Sequence, residues 1–189
     1  MKKAMMIVLM AVTTLTMTAQ NRVGRMTFQP KIGFNLADVT NSSHSDFRVG
    51  LAVGGEFEYG ASPMVGLSFG ALYSMQGADY DDGTLKIDYI NIPVLANIYV
   101  ARGFAVKMGL QPGIKVSASE VYTGKYHEVE RDLHNVKSID LSLPVGMSYE
   151  YRRFVFDLRY NLGLTKIASG SSSKNSVLQF TFGYKIPLR

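Results

Sequence analysis

Apolar and polar residues alternate with a period of two along eight separate stretches of this chain, and this pattern restricts the fold more than any other feature. The stretches run over residues 26–36, 47–59, 65–76, 85–100, 104–117, 139–150, 154–165 and 178–188. In the first, Met26, Phe28, Pro30, Ile32, Phe34 and Leu36 share one face, with Thr27, Gln29, Lys31, Gly33 and Asn35 on the other. In the last, Leu178, Phe180, Phe182, Tyr184, Ile186 and Leu188 oppose Gln179, Thr181, Gly183 and Lys185. Such a pattern makes strands with two chemically different faces. Each run reaches or exceeds the ~9–11 residues that a tilted strand needs to cross a bilayer, whereas soluble strands average ~5–6.

An even number of strands lets an antiparallel sheet close with both ends on one side. The links alternate in kind as well. Gly60-Ala61-Ser62-Pro63, Ala101-Arg102-Gly103 and Arg152-Arg153 read as tight turns. The links at 38–46, 79–83, 119–135 and 168–175 tend to be longer and more polar. Short turns towards the periplasm and longer loops outside is the pattern of outer-membrane barrels.

Period two does not by itself say which face points outward, and a soluble lipocalin-like barrel alternates too. Three features favour the membrane. The polar face is rich in Gly, Ser and Ala, which suit a crowded lumen. The apolar face is bulky on all eight runs, and an eight-stranded lumen is too narrow to hold it. Tyrosines lie towards run ends, at Tyr59, Tyr73, Tyr89, Tyr99, Tyr149, Tyr151, Tyr160 and Tyr184, as expected for interfacial belts. The expected fold is therefore all-β: an eight-stranded antiparallel up-and-down transmembrane barrel. The fourth run is irregular. Leu85, Ile87 and Tyr89 occupy the apolar phase, which then shifts to Ile90, Ile92, Val94, Ile98 and Val100. A one-residue slip of this kind predicts a β-bulge at Tyr89–Ile90, near Pro93.

The first residues read as an export signal. Lys2 and Lys3 precede an apolar stretch, Ala4 to Val12, that is short for a membrane span, with a cleavage point expected near Ala19-Gln20. The domain reading is a signal peptide over 1–19 and a barrel over 20–189, placed in the bacterial outer membrane with both mature termini periplasmic.

The chain has no cysteine, which excludes disulfides, thiolate metal sites and a lipid-anchored cysteine. Its net charge is +5 without a basic run, so nucleic acid is not an expected partner. Inward positions carry both signs of charge. Lys31, Arg48, Lys86, Lys107, Lys115, Arg159 and Lys185 are expected to meet Glu56, Glu58, Asp88, Asp140, Glu150 and Asp157 across the lumen. A lumen filled with ion pairs is the leading reading, and a narrow ion or water path is the alternative.

Other clusters are weaker. Tyr126–His134 gathers His127, His134 and three acids, but at no established zinc spacing. Asp79, Asp81 and Asp82 before Gly83 lack the remaining ligands of an EF-hand. His44, His127 and His134 are the only histidine bases, with no nucleophile at fixed spacing. No metal, cofactor or enzymatic activity is expected. The expected role is structural or binding, with outer-membrane lipid around the barrel and a ligand or partner at the loops.

Four segments carry a family likeness. Asp88-Tyr89-Ile90-Asn91-Ile92-Pro93-Val94-Leu95 resembles the Y-x-x-I-P-L-L stretch of the PorT-like, Bacteroidetes-type outer-membrane β-barrel family. Lys31–Ala37, Arg159–Leu164 and Val177–Tyr184 resemble its first-strand, late and closing-strand segments. The chain departs from that pattern by continuing past the last aromatic through Ile186-Pro187-Leu188-Arg189. The resemblance implies an outer-membrane barrel of the porin-family type, and makes a part in an envelope secretion machine conceivable.

Overall fold

A computed structural model describes residues 23–40, 45–80, 83–123, 128–132, 137–167 and 173–188. The expected leader, His44, His127, His134, Asp81 and Asp82 lie outside the described residues. Twelve strand segments follow in chain order: β1 Met26–Val39, β2 Ser45–Asp46, β3 Arg48–Gly60, β4 Val65–Tyr80, β5 Gly83–Asn91, β6 Val94–Ala101, β7 Phe104–Thr123, β8 Glu128–Asp132, β9 Ile139–Tyr151, β10 Phe154–Gly163, β11 Asn175–Tyr184 and β12 Ile186–Pro187.

They form eight staves of a closed antiparallel barrel. β5 and β6 are one stave interrupted at Ile92-Pro93, where proline cannot donate to the ladder. β12 continues β11 after a break at Lys185, and β8 folds back on the far end of β7. Closure comes from β1 pairing with β11, from Lys31↔Gly183 to Val39↔Asn175. A closed barrel leaves no stave edge unpaired, as a hydrocarbon environment requires.

The outward face is the apolar one. Ile32, Phe34, Leu67, Phe69, Val106, Met108, Met147 and Phe156 are all exposed, while Gln29, Lys31, Asn35, Ser68, Asn97, Gln111 and Asn161 are buried inside. Phe154, Phe156, Phe182 and Tyr184 pack ring against ring on the lipid side of β10 and β11. The short turns sit together at one end of the barrel. Residues 23–27 and 186–188 reach the same end, where Leu188 N donates to Met26 O (2.9 Å) and Gly24 N to Gly60 O (2.8 Å).

The fourth run differs from expectation. β5 keeps one phase throughout, with Ile87 and Tyr89 fully inside and Ile90 outside. Leu85, Ile87 and Tyr89 are thus not on the lipid face. The bulge belongs to the neighbouring strand: Asp88 pairs with Ser117 and Tyr89 with Lys115, leaving Val116 as the extra residue on β7. The reason for the inverted phase is an apolar plug. Val39, Ala78, Ile87, Tyr89, Ala118 and Ile167 pack together at the long-link end, with Tyr80 and Leu85 against them. A further deviation is the link after β7, which the sequence pattern reads as a loop from residue 119. Instead β7 runs on to Thr123 and pairs with β8 as a hairpin, Ser119↔Asp132 to Thr123↔Glu128.

Candidate functional site: a layered lumen

The inward residues sort into layers along the barrel. At the centre, Lys31 Nζ lies 2.6 Å from Glu56 Oε2 and 3.1 Å from Asp157 Oδ2. Arg159 spans both acids, with Nη1 2.6 Å from Glu56 Oε1 and Nε 2.7 Å from Asp157 Oδ1. Lys107 Nζ donates to Asp157 Oδ2. All five side chains are at most 3 % exposed. Charges this deep persist only when paired and hydrogen-bonded.

Strand register makes room for them. Lys31 stands opposite Gly183, Glu56 opposite Gly70, and both Arg159 and Lys107 opposite Gly146. A β-carbon on those glycines would come within 3.0 Å of Lys31 Cγ, 2.9 Å of Glu56 Cγ and 3.1 Å of Arg159 Cγ. Gly70, Gly146 and Gly183 thus leave room for the stems of Glu56, Arg159 and Lys31.

Towards the short-turn end, Glu58 accepts from Gln29 Nε2 (2.9 Å) and from the Tyr99 hydroxyl. Lys185 Nζ reaches Glu150 Oε2 at 2.7 Å, the Tyr99 hydroxyl at 3.3 Å and Glu58 Oε1 at 3.5 Å. This group forms the floor of a cavity of about 600 Å³ that opens at the short turns. Towards the long links lies a mostly neutral layer. Asn35 Nδ2 donates to Ser74 Oγ (2.9 Å), Asn161 Nδ2 to Gln179 Oε1 (3.1 Å) and Gln111 Nε2 to Ser142 Oγ (3.4 Å). Arg48 enters this half and donates to Gln76 O, where β4 turns through Gly77 at φ +128. Asp140 accepts from Thr165 Oγ1 at 2.6 Å. The apolar cluster around Ile87 and Tyr89 lies at this end.

Of the expected lumen charges, Lys31, Glu56, Lys107, Asp157 and Arg159 converge at the centre, and Glu58 and Glu150 at the mouth. Arg48 and Asp140 are buried but apart from them. Asp88 is a correction. It lies on the outward face, because β5 does not change phase, and it accepts from the Tyr73 hydroxyl at 2.6 Å. Tyr89 and Tyr99 are also corrections: both rings enter the lumen rather than a belt. Tyr59, Tyr149, Tyr151, Tyr160 and Tyr184 do face out. Tyr99 was legible, since it alternates with Ile98 and Val100. Gln29 is a further mouth residue that a search for charges passes over. Among the described residues no group of histidines and acids is placed to hold a metal.

The fold finds counterparts among solved proteins. The crystal structure of Ail, the attachment invasion locus protein of Yersinia pestis, is 12 % identical with a TM-score of 0.52, over 87 % of this chain and 100 % of that one. The backbone structure of Ail in a phospholipid bilayer nanodisc is 13 % identical with a TM-score of 0.51, over 86 % and 99 % of the two chains. No curated protein sequence matches significantly. The sequence profile of the outer membrane protein beta-barrel domain matches residues 18–169. This chain, with its closed eight-stave barrel, apolar outer face and ion-paired lumen, belongs to the outer membrane protein beta-barrel domain family.

Proposed function

We propose that this outer-membrane barrel is a closed-lumen structural or binding protein, neither a wide pore nor an enzyme, which acts through its long-link side. The observation that carries this reading is the filling of the lumen. A buried five-member ion network lies across its centre and an apolar plug across its long-link end. Ions crossing it would have to break paired charges and then pass an apolar constriction. In this reading residues 1–19 are a cleaved leader, both mature termini are periplasmic, and the long links meet a ligand or partner outside the cell. The position of residues 23–27 and 186–188 beside the short turns supports the common sidedness of the termini. PorT-like membership is the finer family reading and rests on the four sequence segments.

The test is reconstitution into planar bilayers, where the wild-type protein is expected to give no stable conductance. Stable, large channels would overturn the closed-lumen reading. Heat-modifiable migration of the protein from purified outer membranes is the accompanying check on the barrel and its location.

A further inference from the structure

The cavity at the short turns is lined by more cationic than acidic side chains. Five cationic side chains line it, Arg25, Arg102, Arg152, Arg153 and Lys185, against two carboxylates, Glu58 and Glu150. Both carboxylates are already bonded, to Lys185, Tyr99 and Gln29. The central network above it holds three cations and two acids, so the field from deeper in the lumen has the same sign. Low-dielectric walls focus such a field on the opening.

Two further features point to a ligand. Arg152 stands in the left-handed region, at φ 60, in the two-residue turn between β9 and β10. Glycine or asparagine adopts that conformation far more easily, so the turn is strained, and the Arg152 guanidinium it carries lies 5.5 Å from the centre of the Tyr151 ring. The lining also runs over the rim to Tyr149 and Tyr151, which face outward at 49 % and 55 % exposure.

We propose that this vestibule binds phosphate groups, held by the guanidiniums of the Arg102 and Arg152–Arg153 turns and by Arg25, with Lys185 at the floor. Arginine's planar fork matches two phosphate oxygens at once, and guanidiniums on separate turns suit a multiply charged anion. The volume falls within the ~300–1,000 Å³ typical of small-ligand sites. The phosphate comes either from a soluble organophosphate entering the mouth or from a phospholipid headgroup reaching over the rim. The proposal rests on the barrel reading and is independent of what the long links bind.

The experiment uses the full mature barrel in a maltoside detergent, which contains no phosphate. Inorganic pyrophosphate is titrated by calorimetry, and retention of added phosphatidylglycerol is read by native mass spectrometry. One variant combines Arg152→Gly, which relieves the turn as it removes the charge, with Arg153→Ala. A charge-matched control combines Lys137→Ala and Lys174→Ala, at the opposite end of the barrel. Pyrophosphate affinity is expected to fall about tenfold or more in the first variant and to stay unchanged in the control. Lipid retained by wild type and control but lost from the first variant, without pyrophosphate binding, identifies the headgroup as the source. The proposal is overturned if heat-modifiable protein binds neither probe, or if both double variants lose binding equally. An unshifted wild-type band would instead overturn the barrel, and this site with it.

Discussion

The two halves of the lumen face the same packing problem and solve it differently. The half nearer the short turns is ionic, with five charged side chains locked at the centre and an open, basic vestibule below them. The half nearer the long links is amide-lined, then apolar, and ends in the Ile87–Tyr89–Ile167 plug. Inward positions alternate in the same way in both. What differs is the chemistry of the inward side chains, charged in one half and amide or apolar in the other. Ion pairs tolerate a wet mouth, whereas an apolar layer excludes water and seals. The comparison makes the ionic half the part most damaged by a single deletion, because each of its members leaves partners unpaired.

The largest expected effect is therefore Asp157→Ala. It strips Lys31, Lys107 and Arg159 of a shared acceptor in a site closed to solvent. Breaking a buried pair from one side costs about 3–5 kcal/mol. Urea unfolding of the barrel, followed by loss of its heat-modifiable band, measures this. A cost below about 1 kcal/mol would mean that water reaches the centre and that the ionic half is not dry.

Ile87→Ala comes next. Ile87 is fully buried at the heart of the plug, so its truncation is expected to cost about 2–4 kcal/mol by lost burial and a residual cavity. The same measurement applies. If Ile87 faced lipid, as period two alone suggests, the loss would be far smaller, because lipid tails refill the space.

That contrast shows where the sequence was legible and where it was not. On β1, β3, β9, β10 and β11 the alternation assigned both faces correctly, because bulky apolar residues mostly faced lipid and small, amide or charged ones mostly faced the lumen, with Val155 and Val177 as inward exceptions. The central network was legible for the same reason, each member sitting on a polar phase. The β5 stave was not. Its inward residues Leu85, Ile87 and Tyr89 are apolar because they form the plug, and its outward residues Lys86 and Asp88 are polar because β5 lies near the long-link rim. Period two is symmetrical under exchange of faces, so a stave that passes from hydrocarbon to the water boundary inverts its chemistry without any break in the backbone. The true irregularity, Val116, sits on the partner strand, where apolar Ile114 and Val116 gave no sign of it.

The smallest expected effect tests that boundary directly. Asp88 faces outward with its Oδ2 held by the Tyr73 hydroxyl at 2.6 Å, while Oδ1 has no hydrogen-bond partner among the described residues. At the level of water and headgroups, Tyr73→Phe removes one bond from a carboxylate that lies beside solvent although its Oδ1 is buried, and about 0.5–1.5 kcal/mol should be lost. Within the hydrocarbon the same change would strand a charge whose remaining partners are few, and the loss would reach several kcal/mol. Urea unfolding in lipid vesicles of graded acyl length reads the difference. A small cost that stays constant as the bilayer thickens places Asp88, and with it the apolar plug on the other face of β5, beyond the hydrocarbon edge. A cost that climbs steeply with acyl length would bring the hydrocarbon edge up to β5, and the plug would then be part of the membrane-embedded core rather than its cap.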